Sequence, residues 1–213
     1  DLHSFPTRRS SDLRLLYVAA LLCSVYAFAA DGVRYKDRLF ETGLPTTVTV
    51  ADSVPFLDKM FNNELTSMMD MFNIRPMFYM YSEEGVSLKP LQMDIYEPEG
   101  DDAKNRAAVL VCHGGAFVAG TKTSFDQKAV AYVDSLAARG FVTASLEYRL
   151  GVLMSNQKQT FVIDSVDFAR TVYKSAQDVN AAIRYLRANA KSLRIDTNKI
   201  YILGNSAGAL LGL

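Results

Sequence analysis

The sequence predicts an α/β fold built on a mostly parallel, doubly wound sheet. Three observations carry that expectation. Compact, mainly apolar runs recur at Ala107–Cys112 (AAVLVC), Phe141–Leu146 (FVTASL) and Lys199–Leu203 (KIYIL), as strands buried on both faces require. Longer stretches with apolar residues every three or four positions lie between them. The two patterns alternate, which implies parallel pairing through right-handed crossover helices.

The 213 residues suffice for one domain of ordinary size with a real core. With 49% hydrophobic and 22% charged residues, the chain is neither a disordered tail nor a multispan membrane protein. Twenty-three basic and 23 acidic residues cancel, and no basic run suggests a nucleic-acid partner. Two histidines and two cysteines make a multi-ligand zinc site an unpromising reading. No metal or organic cofactor is implied.

Four segments follow in order. Residues 1–13 (DLHSFPTRRSSDL) lack an initiating Met and resemble translated sequencing-adapter read-through; they are expected to be non-native. Arg8-Arg9 is followed by Ser10-Ser11-Asp12, which does not support a twin-arginine signal. Residues 14–29 place Arg14 before an apolar stretch that ends in Ala27-Phe28-Ala29, the order of a secretory signal peptide. The stretch is shorter than the roughly 20 residues of a membrane span. An exported protein is therefore expected, with an N-terminal anchor as the rival. Leu22 before Cys23 is too bulky for a lipoprotein signal, and cleavage after Ala29 leaves Cys112 as the one cysteine.

Residues 30–90 mix signals. Thr46–Val50 is β-branched and reads as a strand. Leu57, Met60, Phe61, Leu65, Met68, Met69 and Phe72 are spaced as an amphipathic helix. Six of the eight methionines lie between Met60 and Met80. They suit ordinary packing better than a flexible cap over an acyl pocket. Residues 91–213 are regular. Leu91–Tyr96 alternates as a strand and stops at Pro98-Glu99-Gly100. Ser124–Arg139 is a helix with Val130, Val133, Leu136 and Ala137 on one side, stopped by Gly140. Gly151–Asp167 reads as a long loop. Val172, Ala176, Val179, Ile183, Leu186 and Ala190 mark the clearest helix.

Two motifs carry chemistry. Gly204-Asn205-Ser206-Ala207-Gly208 fits G-x-S-x-G, follows an apolar strand and opens an apolar helix, the strand–turn–helix setting of a nucleophile elbow. Such a turn strains Ser206 and admits only small residues two positions before and after it. Upstream, His113-Gly114-Gly115-Ala116-Phe117 follows another buried strand, and its glycines let backbone N–H groups turn into a pocket. The interval between the motifs leaves room for helix, strand, helix and strand.

With these motifs, and with Asp94–Pro98, Glu147–Leu150 and Asp178–Ala182, the chain from about Leu91 to Leu213 resembles the α/β-hydrolase superfamily, specifically its esterase and lipase branch with HGG-type oxyanion loops. The resemblance implies an α/β-hydrolase fold of which the later strands are missing. It implies Ser206 as nucleophile, and Gly115, Ala116 and Ala207 as oxyanion-hole N–H donors. His113 and Gly114 would support the loop. Ala116 replaces the third glycine of an HGGG loop. The expected reaction is cleavage of a carboxylic ester through an acyl-enzyme, on a small-molecule or carbohydrate ester.

In this fold the triad runs Ser, then Asp or Glu, then His. Only seven residues follow Ser206, none of them acidic or histidine. The triad acid and base are therefore not present in this chain, and the sequence is expected to be an N-terminal fragment of a longer gene, inactive alone. His113 precedes the serine and sits in the oxyanion loop, which argues against it as base. Asp178, expected on the polar face of the long helix, and Asp196, in the turn before the last strand, read as structural. Glu147-Tyr148-Arg149 reads as a structural ion pair in preference to a pocket floor. Cys112 reads as a buried thiol facing away from His113. The rival functions are a serine peptidase of the prolyl-oligopeptidase type and a non-catalytic binding protein on the same fold.

Overall fold

The structure, a computed structural model, describes residues 34–60, 80–118, 120–123, 128–151 and 165–213. Its elements are β1 (Thr46–Met60), β2 (Met80–Tyr96), β3 (Arg106–Cys112), α1 (Lys128–Ala137), β4 (Val142–Leu146), α2 (Ser165–Ala188), β5 (Ile195–Gly204) and α3 (Ala207–Leu210). All belong to one unit, Arg38–Leu213; of the preceding unit, Asp1–Asp37, only residues 34–37 are described. The expected signal peptide thus lies outside the described residues. Among the described residues no helix is long and apolar enough to cross a membrane.

The sheet has the order β1-β2-β4-β3-β5. β3 pairs in parallel with β4 and with β5, whereas β1–β2 and β2–β4 are antiparallel. The α/β class is as expected, and the sheet is mixed. β3 shows why it is doubly wound. All seven of its residues are buried. Ala108, Leu110 and Cys112 join the core that includes Val179, Ala182 and Leu186 of α2. Val109 and Val111 join a second core with Val133 and Ala137 of α1. Period-two alternation thus serves one helix on each face. From β3 the chain goes to β4 on one side and then returns to β5 on the other. The carboxyl ends of β3 and β5 therefore flank a topological switch point, where open α/β sheets bind ligands.

The helix expected from Leu57 is corrected at its start. Leu57–Met60 continue β1, with Leu57 opposite Val86 and Met60 opposite Met80; residues 61–79 lie outside the described set. The three-and-four spacing is outweighed there by a partner strand that satisfies the backbone. β1 is an edge strand with register shifts between Ala51 and Val54, and Ser53 at φ 54° lies within them. Such an edge accommodates Pro55, which a central strand would not.

Two further expectations need correction. Ser165–Asp167, placed in a loop from sequence, open α2; residues 152–164 are not described. β5 is not a buried strand: of its residues only Ile195 is buried, and Tyr201 is 40% exposed. Among the described strands β3 alone pairs with it.

Candidate active site at the carboxyl ends of β3 and β5

The turn after β5 is dictated by glycine. Gly204 pairs with Cys112, and the Asn205 N–H donates to the Cys112 carbonyl at 3.2 Å. The chain then reverses so sharply that a Cβ on Gly204 would lie 2.2 Å from the Gly208 carbonyl oxygen. A Cβ on Gly208 would lie 2.2 Å from the Cys112 oxygen and 2.6 Å from that of His113. No side chain fits at either position. Ser206, between them, has φ 51° and ψ −116°, a conformation that costs a non-glycine residue about 1–3 kcal/mol. Ser206 is the N-cap of α3, yet its side chain makes no capping hydrogen bond, and it is exposed. The buried Ala207 opens the helix, so its N–H has no intrahelical acceptor.

The loop after β3 meets this turn. A Cβ on Gly114 would lie 3.2 Å from the Asn205 oxygen and 3.4 Å from Ser206 Cβ. The HGG segment therefore runs close against the serine turn, where an added methyl would be tight. Gly115 (φ 121°), Ala116 (φ 51°) and Phe117 (φ 60°) all have positive φ, and the Val118 N–H closes the turn on the Gly115 carbonyl at 2.9 Å. The N–H groups of Gly115 and Ala116 donate to no backbone carbonyl among the described residues.

Side chains hold this loop. His113 is buried, and its Nδ1–H donates to the Gly114 carbonyl at 2.7 Å, which fixes that tautomer. Its ring stacks on Tyr148, with centroids 4.2 Å apart and planes 17° apart. The Tyr148 hydroxyl donates to the His113 carbonyl. Phe117 is 1% exposed and packs edge-on against Tyr148 and Phe168. At the far end, the Lys122 N–H donates to Glu147 at 2.8 Å, and the Lys122 carbonyl accepts from Ser145 Oγ at 2.7 Å. The Lys122 ammonium pairs with buried Asp94.

Sequence reasoning missed these anchors because their partners are distant in sequence. It also missed Gly120 (φ 102°), where a Cβ would lie 2.4 Å from His113 Nδ1; a glycine in that loop was the available signal. Asp178 is structural, as expected, but not on a solvated face. It is 2% exposed and takes Arg149 in a fork, with Nε at 2.9 Å and the second nitrogen at 2.7 Å, plus the Arg149 N–H at 2.9 Å. Asp196 lies within β5, not before it. Its carboxyl is held below the usual range chiefly by the Asn198 N–H at 2.9 Å. Burial pushes the Cys112 thiol up to about 12, which leaves it un-ionised and unreactive at neutral pH.

Residues 93–213, more than half of the chain, match the BD-FAE family. Mouse carboxylesterase 3B is 32% identical over 123 residues, covering 57% of this chain and 19% of that protein. Human carboxylesterase 3 is 33% identical over 125 residues, 58% of this chain and 20% of that one. Rat neuroligin-2 is 29% identical over 134 residues, 62% and 15%. The chain thus spans about a fifth of the length of the carboxylesterases it matches. Among solved structures, the butyrate-bound esterase Est2 of Thermogutta terrifontis is 27% identical, with a TM-score of 0.43 over 58% of this chain and 38% of that one. The esterase of Pyrobaculum calidifontis is 25% identical, with a TM-score of 0.41 over 58% and 34%. The family match and the strand–turn–helix geometry at Ser206 agree: the chain belongs to the BD-FAE family, an esterase family of the α/β-hydrolase fold.

Proposed function

We propose that the protein is an exported serine hydrolase that cleaves carboxylic esters of small molecules or carbohydrates. Ser206 Oγ attacks the ester carbonyl, its proton passing to a histidine base, and the alcohol leaves to give an acyl-enzyme that water then hydrolyses. The N–H groups of Gly115, Ala116 and Ala207 receive the negative charge that develops on the carbonyl oxygen. Preorganised donors of this kind contribute on the order of 3 kcal/mol each. His113 keeps the loop in place: its Nδ1–H donates to the Gly114 carbonyl, and its ring is 1% exposed and stacked on Tyr148, so it is assigned to loop support and not to the base.

The observation that carries this reading is the strained Ser206 (φ 51°, ψ −116°) with Gly114 pressed against it. Strained backbone of this kind concentrates at functional sites, where the surrounding structure holds it in place. Export rests on the Arg14–Ala29 pattern.

The test uses the full natural open reading frame that carries this sequence. Parent and Ser206→Ala protein are compared for hydrolysis of a p-nitrophenyl acyl ester and of an acetylated sugar. The parent turns over at least one of them and the variant neither. Undiminished turnover in the variant rejects the mechanism. A folded parent without Ser206-dependent turnover points to the non-catalytic binding reading.

A further inference from the structure

We propose that Tyr148 is a positioning residue for ester hydrolysis, one that sets the aim of the Gly115 and Ala116 N–H groups through the His113 carbonyl. The proposal rests on the esterase reading above. The Tyr148 hydroxyl donates to the His113 carbonyl, and the same ring stacks on the His113 imidazole at 4.2 Å. His113 is thereby gripped at its backbone and at its side chain by one residue. That carbonyl also faces the serine turn: a Cβ on Gly208 would lie 2.6 Å from it. A single oxygen therefore joins three parts, the start of the HGG loop, the segment after β4 and the turn that bears Ser206.

The grip is rigid. Tyr148 and His113 are each 1% exposed, and Phe117 abuts the tyrosine at 6.2 Å between centroids. The Gly151 N–H donates to the Phe117 carbonyl at 3.0 Å. The positive-φ run Gly115–Phe117 spans the space between these two attachments. Left-handed backbone at Ala116 and Phe117 relaxes unless its surroundings hold it. The loop's hydrogen-bond donors are useful only if they stay aimed at the position where the oxyanion forms.

The chemistry predicts what loosening does. An oxyanion draws on the N–H donors far more than a developing thiolate does, because sulfur accepts hydrogen bonds weakly. An enzyme with a well-aimed loop therefore prefers an ester over the matching thionoester. A loosened loop loses part of that preference, whereas partial unfolding lowers both rates equally.

The experiment uses the full open reading frame, with active sites counted by titration with an organophosphonate. Tyr148→Phe keeps the ring and removes the hydroxyl; Tyr148→Leu removes both. In the Phe variant kcat for the p-nitrophenyl ester falls about tenfold with KM little changed, as loss of one buried hydrogen bond would give. The ester-to-thionoester ratio falls several-fold, and further in the Leu variant. An unchanged ratio in both variants overturns the proposal, as does a higher KM with kcat intact. A parent with no Ser206-dependent turnover defeats the esterase reading and this proposal together. A Ser206-dependent parent with an unchanged variant ratio defeats the role of Tyr148 alone.

Discussion

The two loops that meet at the switch point are held by opposite means. The serine turn is held by backbone against backbone: Gly204 against Gly208, and Gly208 against the carbonyls of Cys112 and His113. The HGG loop is held by side chains brought from afar, by Tyr148 at one end and by Lys122 with Asp94, Glu147 and Ser145 at the other. The first arrangement tolerates no added atom. The second tolerates change in proportion to the contact removed.

The sharpest break of that comparison is Gly208→Val. Its side chain would start 2.2 Å from the Cys112 oxygen, so the serine turn separates from β3. Activity is lost altogether, and stability falls by about 3 kcal/mol or more, at the severe end for overpacking; urea denaturation measures the shift. Asp178→Ala comes next. It strands the buried Arg149 guanidinium and costs about 3–5 kcal/mol. Its mark is lost stability with a partial fall in kcat per folded molecule, because the pair anchors the segment after β4 that carries Tyr148 but does not touch the serine turn. Gly120→Ala is intermediate. The added methyl displaces the His113 ring from 2.4 Å, so kcat falls by about ten- to a hundredfold while the thermal transition persists. Ala116→Gly is the smallest change. It removes a Cβ from φ 51°, changes stability by less than about 1 kcal/mol, and widens the acceptance of bulky acyl groups in a substrate panel.

The thiol of Cys112, at the end of β3, gives a pH test of the same junction. Its pKa is raised from the ordinary 9.0 to about 12 by burial. The unfolded chain therefore loses that proton first as pH rises. The thiol's contribution is fully present below about pH 9 and is lost as pH climbs toward about 12. Cys112→Ala flattens that part of the stability profile. In the native protein iodoacetamide labels Cys112 only after denaturation.

Both loops were legible from sequence because each is written in adjacent residues. G-N-S-A-G after KIYIL and H-G-G-A-F after AAVLVC announce the turns and the strands that feed them. Their anchors were not legible. Tyr148 is 35 residues from His113 in the chain, and Arg149 is 29 from Asp178. A helix face judged by apolar spacing alone put Asp178 in solvent. The buried face of α2 includes Thr171, Ser175 and Asp178, because Arg149 supplies partners for the latter two. The β1–β2 pair misled for the same reason. Leu57–Met60 have helical spacing, and only the partner strand at Met80–Val86 makes them extended.

Ser206 as nucleophile is tested most directly by treating the protein from the full open reading frame with a fluorophosphonate and mapping the adduct by peptide mass spectrometry. Ser206 Oγ would displace fluoride and retain phosphorus. A single, stoichiometric adduct is expected on the peptide containing Gly204–Gly208, absent after Ser206→Ala. Labelling elsewhere, or none on folded protein, would contradict that role.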